Sequence, residues 1–268
     1  MEQRGTTISN YYRGKTILIT GPTGFIGKVL IWRLLQSCSH VDTIYILIRS
    51  KYGKDIHHRV AELFQTPVST TTSHHAMYQS LRMTLIIDLF QIFDNFRKEN
   101  PQVLRKVKAI AGDVGEPRLG LTAEDEQQLI DSVHVIFHVA AIVKFDATLK
   151  DAINMNVEGT LRLLELATKM RKLEVIFDDG EVGVRDFSPN VLLIVGIQAF
   201  IHTSTAYCHC DIMELDEKPY EAEENPRDVM NMVRWMKPDL LDFISHRYVL
   251  LAQFAVSAKT FKIPPPNR

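Results

Sequence analysis

A short apolar segment that runs directly into spaced glycines is the feature that most constrains the fold of this chain. Residues 16–20 are β-branched and aliphatic, which is typical of a buried parallel strand, and glycines follow at positions 21, 24 and 27. Helical character begins at Phe25. A strand, a glycine turn and a helix in this order predict a βα unit that binds a dinucleotide, with an ordinary βα turn as the alternative.

Each glycine of the turn has its own expected role. Gly21 suits a tight turn, Gly24 lets the backbone approach a pyrophosphate, and Gly27 lets the helix pack closely on the strand. Free amides at the start of the helix would then face the phosphates. We expect Val29, Trp32 and Leu35 on the buried face of this helix. The predicted cofactor-binding residues of the turn are Gly21, Thr23, Gly24, Phe25, Ile26 and Gly27.

Composition narrows the class of protein. The chain has 268 residues and a net charge of -1, so it is long enough for a sizeable core and gives no electrostatic reason to bind nucleic acid. An odd number of cysteines, namely Cys38, Cys208 and Cys210, argues against a disulfide framework. The start lacks a secretion signal, and no segment reaches the roughly 20 apolar residues of a transmembrane helix. These features predict a soluble intracellular enzyme.

Apolar strand-like segments alternate with amphipathic ones along the chain. Strands are predicted at 43–48, 107–111, 133–141 and 199–203, and a long helix at 149–172. This alternation predicts the α/β class, with a Rossmann-like doubly wound parallel sheet flanked by helices. The apolar residues expected along one side of the long helix are Ile153, Val157, Leu161, Leu164 and Ala167.

Basic residues follow the second predicted strand. An acidic residue at this point accepts hydrogen bonds from the adenosine ribose of NAD, whereas an arginine suits the additional phosphate of NADP. Arg49, with Lys51 close by, therefore favours NADPH as the cofactor. The alternative is that both are solvated loop charges.

Further candidate cofactor contacts lie where later strands end. Asp113, with Val114 beside it, would accept a hydrogen bond from the adenine amino group, and the small Ala140 and Ala141 would let the ribose approach the backbone. Asn156 would bond either a strand carbonyl or the cofactor. The alternatives are a turn or helix cap at Asp113 and plain core packing at the alanines.

Hydroxyl side chains follow the last predicted strand. A carbonyl that accepts a hydride needs a hydrogen-bond donor at its oxygen, where negative charge develops. Ser204 and Thr205 are the catalytic candidates, with Thr205 preferred. The alternative is that these are strand-end residues with β propensity alone.

No metal site is predicted. Zinc sites usually gather four ligands, often as two spaced pairs. The pair His74-His75 and the run Cys208-His209-Cys210 do not supply such a set.

Taken together, six motifs resemble those of the alcohol-forming fatty acyl-CoA reductases, especially the insect branch. The likeness runs from about residue 14 to about residue 246. It implies an extended short-chain dehydrogenase/reductase fold, NADPH, and reduction of a long-chain acyl thioester to a primary alcohol. It also implies a cytoplasmic location or one at the endoplasmic reticulum or peroxisomal membrane. The motifs are Thr20-Gly-Pro-Thr-Gly-Phe-Ile-Gly27, Ile48-Arg-Ser-Lys51, Ile110-Ala-Gly-Asp-Val114, Phe137-His-Val-Ala-Ala141, Asn156-Val-Glu-Gly-Thr160 and Ser204-Thr-Ala-Tyr-Cys-His-Cys-Asp211.

The chain departs from this family in three places. The reductase domain is expected at 14–246, with segments foreign to the family at about 68–88 and 175–198 and a divergent, truncated tail at 247–268. We interpret these segments as products of a retained intron or gene-model error, with genuine surface loops as the alternative.

The catalytic Tyr-x-x-x-Lys pair of the family is absent after His246, so we expect impaired activity. Two competing functions stay open. One is a non-catalytic NADP-binding remnant, and the other is a relative of sugar epimerases or hydroxysteroid dehydrogenases. The sequence leaves the acyl chain length and the oligomeric state undetermined.

Overall fold

Alternating strands and helices make up the described part of the chain. The computed structural model describes residues 8–49, 56–65, 92–143, 147–170, 199–203 and 225–241. The strand order of the sheet is β3-β2-β1-β4-β5, and the pairs β1 with β2, β2 with β3, and β4 with β5 are parallel. The strands are β1 Thr16–Thr20, β2 Thr43–Ile48, β3 Val107–Ala111, β4 Val135–His138 and β5 Ala199–His202.

Helices stand between the strands in chain order. The predicted α/β class and Rossmann-like fold are confirmed by this alternation and by the parallel pairing. None of the described helices has both the length and the apolar character needed to cross a membrane. The helices are α1 Ile8–Tyr11, α2 Phe25–Ser37, α3 Ile56–Gln65, α4 Asp94–Glu99, α5 Pro101–Leu104, α6 Ala123–Ser132, α7 Leu149–Ala152, α8 Gly159–Lys169 and α9 Pro226–Trp235, with a 3₁₀ turn at Pro117–Gly120 and a π-helical segment at Ile153–Glu158.

The chain divides into two compact units, of which residues 1–113 form the first. Its centre is the pairing of β1 with β2, in register from Thr16 opposite Thr43 to Thr20 opposite Leu47. Every residue of both strands is buried. Strands covered on both faces read as continuous aliphatic runs, and this explains why both were recognisable from the sequence.

Helix α2 covers part of this unit, but its buried face differs from the predicted one. Leu35 is buried as expected, whereas Val29 and Trp32 are only half-buried. The buried face of α2 is rotated so that it includes Lys28. A search for apolar residues at helical spacing does not identify this position, because lysine is polar. The buried residues of α2 are Gly27, Lys28, Ile31, Leu34 and Leu35.

Residues 114–268 form the second unit. Here β4 pairs with β5, from Val135 opposite Ala199 to His138 opposite His202. An apolar cluster joins α7, the π-helical segment and α9. The buried residues of this cluster are Leu149, Ala152, Ile153, Val157, Met230, Val233 and Leu241.

The long helix predicted at 149–172 is present as α7, the π-helical segment and α8, and residues 171–172 lie outside the described part. Residues Ile153 and Ala152 at the junction keep helical dihedral angles. A π turn holds an extra residue, so the apolar stripe beyond it shifts along the sequence. Leu163 and Leu166 are therefore buried in α8 in place of the expected Leu161 and Leu164.

Candidate cofactor site

The glycine turn of the first unit is built so that no side chain fits at position 27. Gly21 has a φ of 69°, a left-handed value that favours glycine. A Cβ atom at Gly27 would lie 2.3 Å from the carbonyl oxygen of Gly21 and 2.8 Å from Cα of Pro22. Both contacts are to backbone, so α2 approaches the turn as closely as two backbones allow. The expected role of Gly27 in close packing agrees with this geometry.

The start of α2 presents backbone donors at this turn. Gly24 occupies the N-cap position without a side-chain cap, and the amide of Lys28 bonds the carbonyl oxygen of Gly24 at 3.1 Å. The amides of the first helical turn have no acceptor within the helix itself. Thr23, Phe25 and Ile26 are exposed here. Uncapped amides at the positive end of a helix dipole form a binding site for an anion.

Lys28 is a residue that the sequence interpretation missed. Its side chain belongs to the buried face of α2, and only 8% of its surface is exposed. Burial lowers the pKa of its ammonium group from the ordinary value. A glycine-turn motif does not point to Lys28, because the motif is defined by its glycines alone.

Two guanidinium groups lie at the carboxyl end of β2. Arg49 is exposed and pairs with the carboxylate of Asp113 at 3.8 Å. Nη1 of Arg59, from α3, donates a hydrogen bond to the carbonyl oxygen of Arg49. Burial lowers the pKa of Arg59, and the nearby positive charge of Arg49 lowers it further. Arg49 and Asp113 are thus brought together, Arg59 joins them unpredicted, and Lys51 lies outside the described residues.

In the second unit, Val114 is held in place by α8 and the helical turn before it. Nη1 of Arg162 donates to the carbonyl oxygen of Val114 at 3.0 Å, and Nδ2 of Asn154 donates to the carbonyl oxygen of Gly115 at 3.0 Å. A Cβ atom at Gly159 would lie 3.1 Å from the Val114 carbonyl oxygen. The loop that follows Asp113 is therefore fixed by contacts to its backbone.

Asn156 fastens the segment that follows β4. Its Oδ1 accepts from the amide of Ile142 at 2.8 Å, and its Nδ2 donates to the carbonyl oxygen of the same residue at 3.0 Å. Ala140 is half-buried and Ala141 exposed just before this clamp. The geometry shows a backbone contact to the segment after β4, not to the strand carbonyl that was one of the two expected partners. A cofactor contact by Asn156 or the alanines remains a prediction.

A buried histidine lies at the end of β4. Thr160 donates its hydroxyl proton to the carbonyl oxygen of Asn156 at 2.7 Å, so it accepts from Nε2 of His138, 2.9 Å away. A hydroxyl has one proton to donate, so Nε2 of His138 carries the proton of this hydrogen bond. Burial, with a smaller contribution from the charge of nearby His202, lowers the pKa of His138 to about 3, so the ring is neutral near pH 7. The catalytic candidates Ser204 and Thr205, beyond His202, lie outside the described residues.

The residues of the first unit suit a dinucleotide. The close-packed glycine turn, the uncapped helix start and the cations near β2 are donors for phosphate groups. Within the described ranges, no group of three or more His, Cys, Asp or Glu side chains is placed to hold a metal ion.

Comparisons with known proteins agree with this site. An NAD-binding family described as male sterility protein matches residues 19–178, which is more than half of the chain. Fatty acyl-CoA reductase 1 of Mus musculus is 34% identical over 243 residues, and the match covers 91% of this chain and 38% of that protein. Fatty acyl-CoA reductase 2 of Homo sapiens is 31% identical over 244 residues, with the same coverage of 91% and 38%.

Among solved structures, the terminal R domain from the myxalamid PKS-NRPS biosynthetic pathway is similar to 79% of this chain and 39% of its own chain, with a TM-score of 0.47 and 22% identity. The chain spans 38% of the length of the curated relatives named above. The family profile and the glycine turn agree on a domain that binds a nicotinamide dinucleotide. The resemblance in the motifs is thereby confirmed, and the chain belongs to the male sterility protein family, with fatty acyl-CoA reductases among its relatives.

Proposed function

We propose that this chain is the cofactor-binding part of an NADPH-dependent reductase that converts long-chain fatty acyl-CoA to a primary alcohol. The observation that carries the proposal is the glycine turn, in which a Cβ at Gly27 would lie 2.3 Å from the Gly21 carbonyl oxygen beneath an uncapped helix start. Such a turn suits the diphosphate of a dinucleotide. When bound, the nicotinamide supplies hydride, and the chain supplies the groups that hold it.

The arrangement of Arg49 and Arg59 supports NADPH over NADH. Two guanidinium groups close enough for one to lower the pKa of the other repel each other, and a phosphate between or beside them relieves that repulsion. The carboxylate of Asp113 at 3.8 Å from Arg49 offsets only part of the charge, because both side chains reach solvent. We propose that this pair, with Lys51, binds the additional phosphate of NADPH.

Removal of the charges of Arg49 and Arg59 tests whether these residues select NADPH over NADH. The Arg49→Gln and Arg59→Gln variants are expected to bind NADPH about tenfold to a hundredfold more weakly, while affinity for NADH changes less than about twofold. Titration calorimetry with both cofactors measures this. Arg33→Gln, which removes an exposed arginine of α2, is the matched control. An equal loss for both cofactors would show that the arginines do not distinguish them.

The acyl substrate is proposed from the relatives, whose names state that they reduce fatty acyl-CoA. We propose that residues 14–246 form the reductase domain and that Thr205, with Ser204, donates to the carbonyl oxygen of the thioester. Because Tyr-x-x-x-Lys is absent after His246, the general-acid contribution of a tyrosine is missing. The second candidate, a non-catalytic NADP-binding remnant, is favoured by that same absence.

A product assay separates the two candidates. With NADPH and palmitoyl-CoA, we expect hexadecanol at a rate on the order of a hundredfold to ten-thousandfold below that of an intact relative, measured by gas chromatography. The Thr205→Ala variant should lose this remaining product while it still binds NADPH. NADPH binding with no alcohol above the no-protein blank would favour the remnant, and a rate equal to that of the relative would contradict the expected impairment.

A further inference from the structure

Lys28 is a charged residue on a buried helix face. It lies in the first turn of α2 beside Gly27, with Ile31 and Leu35 on the same face, and 8% of its surface is exposed. Lysine is rarely buried to this extent unless it is paired. Within the described part of the chain, no carboxylate or carbonyl oxygen is recorded within hydrogen-bond or ion-pair distance of its ammonium group.

The place of Lys28 in the helix makes this arrangement costly for the protein alone. Side chains of a helix lean toward its N-terminus, so the stem of Lys28 runs toward the glycine turn. That end of α2 already carries the positive end of the helix dipole and the uncapped amides of its first turn. An ammonium group is most stable at the opposite end of a helix, so nothing in the packing of α2 favours a cation here.

An anion at the start of α2 would account for both features. It would pair with the ammonium group at the end of the buried stem and accept from the helix amides, and it would supply the negative charge that the described residues do not. The arginines of the proposed NADPH phosphate site, Arg49 and Arg59, belong to the end of β2 and to α3, whereas Lys28 belongs to the helix that begins at the glycine turn. The anion nearest this turn in a bound dinucleotide is the diphosphate.

We propose that Lys28 is a binding residue for the diphosphate of the dinucleotide, an inference that rests on the proposed function. The ammonium group and the amides of α2 would act on the same phosphates from the side chain and the backbone. A lysine acts on phosphate as a point charge and therefore does not require the planar geometry of an arginine. Burial of the side chain lowers the pKa of Lys28, the direction expected of a lysine without an anionic partner among the described residues.

The Lys28→Met variant tests the proposal, because methionine keeps much of the apolar stem and removes the charge. NADPH and NADH share the diphosphate, so affinity for both should fall by the same factor, about tenfold to a hundredfold. In the absence of cofactor, the thermal midpoint should not fall, since the variant keeps the apolar stem and removes an unpaired charge. Calorimetry with each cofactor and thermal unfolding of the free protein measure the two effects. Lys98→Met, on the exposed side of α4, controls for the loss of one positive charge.

The possible outcomes separate the role of Lys28 from the proposed function on which it rests. Wild-type protein that binds neither cofactor overturns the proposed function itself. Wild-type binding with unchanged affinity in Lys28→Met overturns the role of Lys28 and leaves the function standing. A loss for NADPH alone would assign Lys28 to the additional phosphate and contradict the diphosphate assignment. Lys28→Gln repeats the test with a polar side chain, and failure of both variants to fold would show a structural role instead.

Discussion

The Gly27→Ala variant is expected to lose both stability and cofactor binding. Its methyl group would meet the carbonyl oxygen of Gly21 at 2.3 Å and Cα of Pro22 at 2.8 Å, and both neighbours are backbone atoms. Neither can yield by a change of rotamer, so the turn or the start of α2 must move. Overpacking of this kind costs about 3 kcal/mol, and the thermal midpoint should fall by about 6 to 12 °C. Displacement of the helix amides should also abolish measurable NADPH binding.

Gly24→Ala is the matched control within the same turn. A Cβ at Gly24 would lie 3.4 Å from the Gly21 carbonyl oxygen, and the φ of -74° is one that alanine adopts without strain. We therefore expect nearly unchanged stability, with weaker NADPH binding because the methyl group occupies the path of the pyrophosphate. Thermal unfolding and calorimetry on both variants separate packing from binding. Equal stability of Gly27→Ala and wild type would contradict the close packing at this turn.

Buried His138 should make the protein less stable in mild acid. Its pKa in the folded state is about 3, against an ordinary value of 6.5, so the unfolded chain binds a proton first as the pH falls. Stability is therefore highest above the ordinary value and decreases as the pH falls from there toward the folded value. From about pH 7.5 to about pH 5, one such histidine costs about 2 kcal/mol of unfolding free energy. Burial lowers the pKa of His202 as well, which acts in the same direction.

The His138→Gln variant isolates this contribution. Its amide keeps a donor for the hydroxyl of Thr160, which His138 contacts at 2.9 Å, but it carries no titratable proton. Urea unfolding at both pH values should show a smaller loss for the variant than for wild type, by about 2 kcal/mol. The exposed His40→Gln variant controls for the loss of a histidine. If wild type and His138→Gln lost stability equally, His138 would not be the neutral buried group that its lowered pKa indicates.

Local sequence patterns were sufficient to predict the strands and helices whose structure depends on their own residues. The strands Thr16–Thr20, Thr43–Ile48 and Val107–Ala111 were found with their predicted bounds. The first two are buried throughout and read as aliphatic runs, whereas in the third only Val107 and Ile110 are buried. The long helix was also found, but beyond Val157 only Ala167 is buried as predicted, while Leu161 and Leu164 are half-buried. A π turn depends on how a helix packs, and apolar periodicity assumes a regular helix.

The candidate site shows the same division. The glycine turn was predicted because its backbone conformation requires particular residues at fixed spacing, and Arg49 was predicted from its place after a strand. Arg59 could not be predicted from the sequence, since its contact with Arg49 depends on where α3 lies after folding. Asn156 illustrates an intermediate case. The sequence left a strand carbonyl and the cofactor open as its partners, and the structure shows a bond to the backbone of Ile142, which follows the strand.

The sequence by itself determined the strand, glycine turn and helix of the cofactor site, and with them the family, because these depend on neighbouring residues and on backbone conformations that only certain residue types adopt. The tertiary structure alone decided that Lys28 is buried at the helix start, that Arg59 lies against Arg49, and that burial keeps His138 neutral beside Thr160. Burial, desolvation and charge proximity are properties of side chains brought together by folding, and no local pattern encodes them.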